Sequence, residues 1–120
     1  MSSIKTYKDL LIWQKGIQIV KEVYLVCKSF PKDEQYGLTS QIKRSAVSIP
    51  SNIAEGWGRK YTKSYIQFLK YSRGSLLELE TQIIIAKELN FISIEEYNRI
   101  QSLITEESKM LNAFIKSIDK

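Results

Sequence analysis

The sequence predicts an all-α protein, an antiparallel up-down-up-down four-helix bundle, and three observations lead to that prediction. Apolar residues recur every three or four positions almost from end to end, which is the spacing of a buried helix face. Two prolines and five glycines are too few to provide the turns of a sheet protein. The chain has 120 residues, of which 43% are hydrophobic and 26% charged. This is enough for one domain, residues 1–120, around a single core.

The first predicted helix spans residues 7–30 and carries two neighbouring apolar stripes. One stripe consists of Leu10, Trp13, Ile17, Val20, Tyr24 and Cys27, and the other of Ile12, Ile19, Val23, Val26 and Phe30. Together the stripes are wider than the seam that a two-stranded coiled coil buries, so this helix needs neighbours on more than one side. Pro31 is expected to end it, because the residue before a proline disfavours helical geometry.

The second predicted helix contains a proline in mid-pattern, in the stretch RSAVSIPSNIAEGWGR at residues 44–59. Pro50 lacks the amide hydrogen that would bond to the Ala46 carbonyl, which costs about 3 kcal/mol in an ordinary helix. The apolar stripe nevertheless keeps its helical phase, which favours one kinked helix with a nearby serine hydroxyl bonding the backbone. A separate short helix capped by Ser48 is the alternative. The helix is expected to end at Gly56 and Gly58 in left-handed geometry, and its small residues should let another helix approach closely.

The third and fourth predicted helices are joined by a short turn. The third begins at Tyr61 or Thr62 and runs to about residue 90, and Ser93 followed by Glu96 forms a capping box that begins the fourth. The residues expected to be buried by the fourth helix are Tyr97, Ile100, Ile104, Leu111, Phe114 and Ile118. Paired carboxylates such as Glu106 and Glu107 are assigned to a solvated face, since adjacent helix residues do not converge on one atom.

The residue types needed for most catalytic sites are missing. The chain has no histidine and one cysteine, Cys27, which lies in an apolar stretch and is expected to be a buried hydrophobe. No phosphate-cradling loop or dinucleotide fingerprint occurs. We therefore expect no enzyme, no cofactor and no metal. Glu55 with Arg59 is an alternative nuclease or toxin pair, but an ion pair one helical turn apart is the simpler interpretation.

The amino-terminal stretch lacks the apolar core of a signal peptide, and no run of eighteen apolar residues occurs. We therefore expect a cytoplasmic protein that does not associate with membranes.

Positive charge is concentrated in the middle of the chain. Residues 41–73 have a net charge of +6, whereas residues 1–40 have +2 and residues 74–120 have −3. We expect these cations to gather around one end of the second and third helices, where a phosphate backbone is the commonest ligand. A basic face that only keeps the protein soluble is the alternative. The predicted nucleic-acid-binding residues are Lys43, Arg44, Arg59, Lys60, Tyr61, Lys63, Lys70 and Arg73. Trp57 and Tyr65 are expected in the core, and Tyr61 is expected to be exposed.

Three groups of residues carry a resemblance to a known family. They are YKDL with IWQK at residues 7–15, QIKRSAVSIPSNIAEG with GR at residues 41–59, and YIQFL with GSLLELETQ at residues 65–82. In this order they resemble the four-helix-bundle family encoded in intervening sequences of bacterial 23S ribosomal RNA genes. The match extends over nearly the full chain.

The resemblance implies a bundle similar to the accessory protein of diversity-generating retroelements. It also implies a homopentamer with a central channel and a second helix that continues through Pro50. It implies association with RNA or with a nucleic-acid enzyme, and it supplies no catalytic residues. The sequence therefore leads to a non-enzymatic oligomer that binds structured RNA through its basic surface. A structural or adaptor homo-oligomer that docks a protein partner, such as a nucleic-acid enzyme, is the alternative.

Overall fold

The computed structural model describes residues 3–119, and within them the chain forms four α-helices. These are α1 (Leu11–Cys27), α2 (Leu38–Trp57), α3 (Thr62–Glu88) and α4 (Ile94–Ile118), with 3-10 turns at Tyr7–Asp9 and Lys32–Glu34. Residues 1, 2 and 120 of the predicted domain lie outside the described residues. Cα atoms approach within 8 Å between α1 and α2, α2 and α3, α3 and α4, and α4 and α1, but among the described residues they do not do so between diagonal helices. The predicted up-down-up-down bundle is confirmed, and α1 lies diagonal to α3.

The first helix is shorter than predicted at both ends. Thr6 and Asp9 form a reciprocal capping box around the first 3-10 turn. Leu10 then has extended geometry (φ −75°, ψ 129°), so the α-helix begins only at Leu11. At its other end α1 stops at Cys27 rather than at residue 30. At the amino-terminal end, the apolar spacing did not distinguish the 3-10 turn from the α-helix, because both repeat about every three to four residues.

Capping residues define the boundary between α3 and α4. Asn90 has a φ of 61°, in the left-handed region that Asn tolerates better than most residues. The Phe91 N–H donates to the Ala86 carbonyl at 2.9 Å, as in a Schellman motif. Ser93 Oγ accepts the Glu96 N–H, and the Glu96 carboxylate accepts the Ser93 N–H. The predicted capping box is confirmed.

The second helix runs through Pro50 without a break, so the continuous helix is confirmed and the separate helix capped by Ser48 is wrong. The Ser48 hydroxyl instead donates to the Ser45 carbonyl at 2.9 Å, as expected for a serine beside a helical proline. The Ser72 hydroxyl of α3 donates to the Ile49 carbonyl of α2 at 2.9 Å. Serine hydroxyls therefore bond backbone carbonyls in the turn that precedes the proline.

Two glycines allow helices to approach α2 closely. A Cβ atom at Gly16 of α1 would lie 3.3 Å from Cβ of Pro50, and one at Gly56 would lie 2.9 Å from Cδ1 of Tyr65 in α3. The close approach predicted for α2 is present on both sides. The left-handed end predicted for α2 is wrong, because Gly56 lies inside the helix and Gly58 has a φ of −77°. Gly56 provides room for α3 rather than a turn.

The two apolar stripes of α1 are not covered equally. Ile12, Ile19, Val23 and Val26 are at most 4% exposed, whereas Tyr24 is 43% exposed. The other three helices of the same chain therefore cover only one of the stripes fully. The wide apolar face predicted for this helix extends to the surface of the bundle.

One carboxylate of α4, that of Glu107, lies in the core, and its predicted solvated position is wrong. Glu106 is exposed and its Oε1 lies 3.1 Å from Lys15 Nζ, but Glu107 is completely buried. Neither oxygen of Glu107 has a hydrogen-bond partner among residues 3–119. Desolvation raises the pKa of Glu107 to about 8, although the nearby positive charge of Lys15 acts to lower it. Adjacent helix residues point about 100° apart, so one of the two can be solvated while the other faces the core.

Candidate nucleic-acid interface

The four-residue connection between α2 and α3 carries three of the predicted site residues. Arg59 folds back over the helices, with Nη2 lying 3.4 Å from Glu55 Oε2 and its guanidinium carbon 4.4 Å from the centroid of the Phe68 ring. Lys60 Nζ lies 5.6 Å from the Tyr61 ring centroid, and Tyr61 is 68% exposed. The exposure predicted for Tyr61 is confirmed. Two cations and one ring are therefore presented together at the tip of the helix pair.

Lys63 and Lys70 extend this charge along the outer side of α3. Both side chains are exposed, and within residues 3–119 neither has an ion-pair partner. They are seven residues apart, so they occupy the same face of the helix, separated by about 10 Å. Lys63 lies in the first turn of α3, close to the connection, and Lys70 lies two turns further on.

Three predicted residues lie away from the connection. Lys43 Nζ lies 4.7 Å from the centroid of the Tyr24 ring on α1, and Arg73 Nη1 donates to Asn112 Oδ1 on α4 at 2.9 Å. Arg44 is exposed but precedes the end of α2 by 13 residues, or about 20 Å. The prediction that all the cations gather at one end of the helix pair is wrong for these three and for Lys70, because a helix distributes its side chains along its length and toward different neighbours.

The aromatic residues near the connection divide into core and surface as predicted. The Trp57 ring packs edge-on against Tyr65 with centroids 6.5 Å apart, and Tyr65 packs against Phe114 of α4 at 5.9 Å. Burial raises the pKa of Tyr65 to about 12, and its hydroxyl has no hydrogen-bond partner within residues 3–119. This row of rings connects the end of α2, the start of α3 and the end of α4, and it is not available for stacking on bases.

The fold brings three further basic residues, which were not among the predicted site residues, to the same end of the bundle. Lys5 precedes the 3-10 turn that contacts α2, Lys8 lies within that turn, and Lys116 lies in the last turn of α4. All three are exposed. They lie at the same end of the bundle as the α2–α3 connection because, in an up-down bundle, α1 begins and α4 ends at that end. The predicted topology was the signal that could have identified them. We call the following set the basic end: Lys5, Lys8, Arg59, Lys60, Lys63 and Lys116.

Charge is distributed unequally along the bundle, which measures 45 × 25 × 21 Å. At the end that contains the α2–α3 connection, residues 3–9, 55–63 and 116–119 include six basic and three acidic side chains, a net charge of +3. At the opposite end, residues 28–37 and 87–96 include three basic and five acidic side chains, a net charge of −2. A polyanion would therefore meet an attractive field at one end and a repulsive one at the other.

The other reactive groups named in the sequence are either ion-paired or buried. Glu55 and Arg59 form an i,i+4 ion pair with both side chains largely solvated. The Cys27 thiol is buried as predicted, and desolvation raises its pKa to about 11, against a smaller opposing effect of Lys43. Within residues 3–119, no three His, Cys, Asp or Glu side chains are grouped to hold a metal ion.

Among the helices of residues 3–119, none combines the length and the apolar character needed to cross a membrane.

Comparisons with known proteins agree with the resemblance seen in the sequence. The family model for 23S rRNA-intervening sequence protein matches residues 8–113. A crystal structure of a protein with unknown function, from the S23 ribosomal protein family of Bacteroides thetaiotaomicron VPI-5482, matches with a TM-score of 0.80 and 26% identity. The match covers 88% of this chain and 99% of that one. A search of curated proteins finds no significant match. Because the family model covers most of its length, the chain belongs to the 23S rRNA-intervening sequence protein family.

Proposed function

We propose that this protein is a non-enzymatic homo-oligomer that binds the phosphate backbone of structured RNA through its basic end. The observation that carries the proposal is the position of the six cations, which three separate parts of the chain bring to one end of the bundle. Glu55, which pairs with Arg59, is the only carboxylate in an ion pair with any of the six among residues 3–119. Lysine and arginine side chains that are free of carboxylates can exchange solvent counterions for phosphates.

The same geometry favours recognition of shape and charge over recognition of base sequence. Tyr61 is an exposed ring among the cations, whereas Trp57 and Tyr65 are packed against the core. Phosphate contacts fix the position of a nucleic acid but carry no sequence information themselves. We therefore expect the protein to prefer folded RNA of suitable shape, with limited discrimination between bases.

Exposed apolar side chains on two helices support self-association. The α1 patch consists of Tyr24 and Leu25 with Lys21 and Lys28, and the α3 patch consists of Ile84 and Ile85 with Glu78 and Glu88. Leu25 is 55% exposed and Ile85 is 41% exposed. Because α1 and α3 are diagonal in the bundle, the two patches face opposite sides. One carries lysines and the other glutamates, so the α1 patch of one copy is complementary to the α3 patch of the next.

The two patches lie at the same height along the bundle. Lys43 contacts the Tyr24 ring, and the adjacent Arg44 lines a shallow pocket with Glu78. Tyr24, residues 43–44 and Glu78 are therefore neighbours across three helices.

A contact between unlike patches at equal height is heterologous and closes into a ring when the rotation permits. In such a ring every basic end points to the same rim, and five copies is the number that the family resemblance implies.

Substitutions at opposite ends of the bundle test the function. In fluorescence anisotropy with a structured RNA at about 0.1 M salt, the variant K60Q/K63Q should bind at least tenfold more weakly than the parent, since each lost phosphate contact lowers affinity by nearly tenfold at this salt. The matched control K32Q/K87Q removes the same charge from the acidic end and should have a smaller effect. Equal losses in the two variants would contradict the proposal and favour the adaptor role.

A further inference from the structure

A groove of about 460 Å³ runs between α3 and α4, midway along the bundle. Leu76, Leu77 and Ile104 contribute apolar surface to it, and Arg73 and Lys109 line it from the two helices. A concave site with apolar walls and a few polar groups is typical of small-ligand binding. Cations beside an apolar surface suit a ligand that combines an anionic group with a planar or apolar body.

Arg73 is oriented by a contact across the groove. Its Nη1 donates to Asn112 Oδ1 at 2.9 Å, which fixes the guanidinium group and leaves other N–H donors available. Within residues 3–119, neither Arg73 nor Lys109 has an ion-pair partner. Two cations that line one groove and lack carboxylate partners suit a phosphate ligand, to which charge-assisted hydrogen bonds are strong.

A carboxylate, Glu80, also lines the groove, but within residues 3–119 it forms no ion pair with Arg73 or Lys109. Its Oε2 accepts a hydrogen bond from Gln101 Nε2 at 2.6 Å. Glu80 follows Arg73 by seven residues, or about 10 Å along α3. The groove therefore has a cationic half and an acidic half. The cationic half is the one closer to the basic end, because α3 begins there.

A row of cations connects the groove to the basic end. On α3 the row consists of Lys63, Lys70 and Arg73, and on α4 it consists of Lys116 and Lys109. Spacings of seven and three residues keep the members of each row on similar faces of their helices. The row covers about 15 Å of α3. An RNA strand whose phosphates contact the basic end can follow these cations into the groove.

We propose that the α3–α4 groove is a nucleotide-phosphate site in which Arg73 and Lys109 bind one phosphate and the apolar wall receives the attached nucleoside. The inference rests on the proposed function, since it extends the RNA path from the basic end along α3. The ligand is a single-stranded phosphodiester segment of that RNA. It is recognised by its charge and by contact with the face of a base, so sequence tolerance is expected.

The test is an NMR titration of the intact protein, with uridine 5′-monophosphate, inorganic phosphate and uridine as separate probes. The nucleotide should shift the amide signals of Arg73, Leu77 and Lys109, phosphate should shift the same signals more weakly, and uridine should shift them least. The variant R73Q/K109Q should bind the nucleotide at least tenfold more weakly. The control K32Q/K87Q should leave the titration unchanged.

The failures of the two proposals can be told apart. Shifts confined to residues 59–63, or equal nucleotide affinity in R73Q/K109Q and the parent, would overturn the groove site even if the basic end binds RNA. Conversely, nucleotide binding in the groove that R73Q/K109Q abolishes, in a protein that does not bind structured RNA, would support the groove site and refute the RNA function. Loss of RNA affinity in K60Q/K63Q with unchanged nucleotide binding would support both.

Discussion

Gly56 of α2 lies against Tyr65 of α3 so closely that a Cβ atom at Gly56 would stand 2.9 Å from Cδ1 of the ring. The backbone of α2 therefore rests on α3 where the two helices meet, and four residues are enough to connect them. This contact holds Arg59 and Lys60 at the tip of the bundle. The geometry of the basic end depends on a residue that carries neither charge nor a side chain.

The contact predicts that Gly56→Ala destabilises the protein. The new methyl group would also lie 3.0 Å from Phe68 Cβ and 3.2 Å from the Tyr65 carbonyl oxygen, so the helices must separate. Overpacking of this kind costs about 1–3 kcal/mol in the free energy of unfolding, which chemical denaturation would measure. Gly74→Ala is the matched control. Its Cβ meets nothing within 4 Å, so the gain in helix propensity should stabilise the protein by about 0.5–1 kcal/mol. A stable G56A protein would show that the approach is looser than described.

The buried carboxyl group of Glu107 predicts a pH dependence of stability. The folded protein retains the proton up to about pH 8, whereas the unfolded chain releases it near the ordinary value of 4.5. The folded state therefore binds more protons between these values. The stability associated with this group is complete below about pH 4.5 and is lost as pH rises toward 8. The loss is on the order of 1 kcal/mol per pH unit within that window.

Glu107→Gln tests this dependence because glutamine has a similar shape and does not titrate. Relative to the parent, E107Q should gain stability steadily as denaturation is measured from pH 5 to pH 8. Glu95→Gln, at an exposed position of α4 that has no ion pair within residues 3–119, is the matched control and should keep the parent's loss of stability toward pH 8. Parallel profiles for the parent and E107Q would mean that this carboxyl group is solvated or partnered in the folded protein.

The fold was largely predictable from the sequence because helical periodicity records which face of a helix is buried. Helix phase across Pro50 predicted a continuous α2, and Ser93 with Glu96 predicted the start of α4, since both signals are local. The beginning of α1 was predicted less well. Thr6 and Asp9 form their capping box one turn earlier, and the 3-10 turn they enclose has nearly the same apolar spacing as the helix.

The burial of Glu107 could also have been predicted from the sequence pattern. The predicted core positions of α4 alternate in steps of three and four, and the step from Ile104 to Leu111 passes through position 107. The charged residue type predicted a solvent-exposed side chain at position 107, whereas the place of that position in the helical repeat predicted a buried one. The place in the repeat gave the correct prediction.

The site was only partly predictable because it combines distant parts of the chain. Local charge identified Arg59, Lys60 and Lys63, which the structure keeps near one another at the α2–α3 connection. Local charge also included Lys43 and Arg73, whose side chains turn toward α1 and α4. It missed residues of the two termini, which reach the same end only through the bundle topology.

The complementary patches predict how assembly responds to substitution. Leu25→Asp damages the α1 patch and Ile84→Asp damages the α3 patch, so each variant alone should be monomeric by size-exclusion chromatography with light scattering. A mixture of the two should form dimers, because one intact α3 patch meets one intact α1 patch. If the contact instead joined like patches, the mixture would contain no dimer of unlike variants.

The salt dependence of RNA binding tests the central claim, that solvated cations at the basic end bind phosphates, most directly. If each of five copies engages two phosphates, the slope of log affinity against log salt concentration should be about −9 on duplex RNA and about −7 on single strands, taking the coefficients measured for B-DNA and for single strands. The slope should become much shallower in K60Q/K63Q. Affinity that does not change with salt, or a slope that K60Q/K63Q leaves intact, would contradict the account.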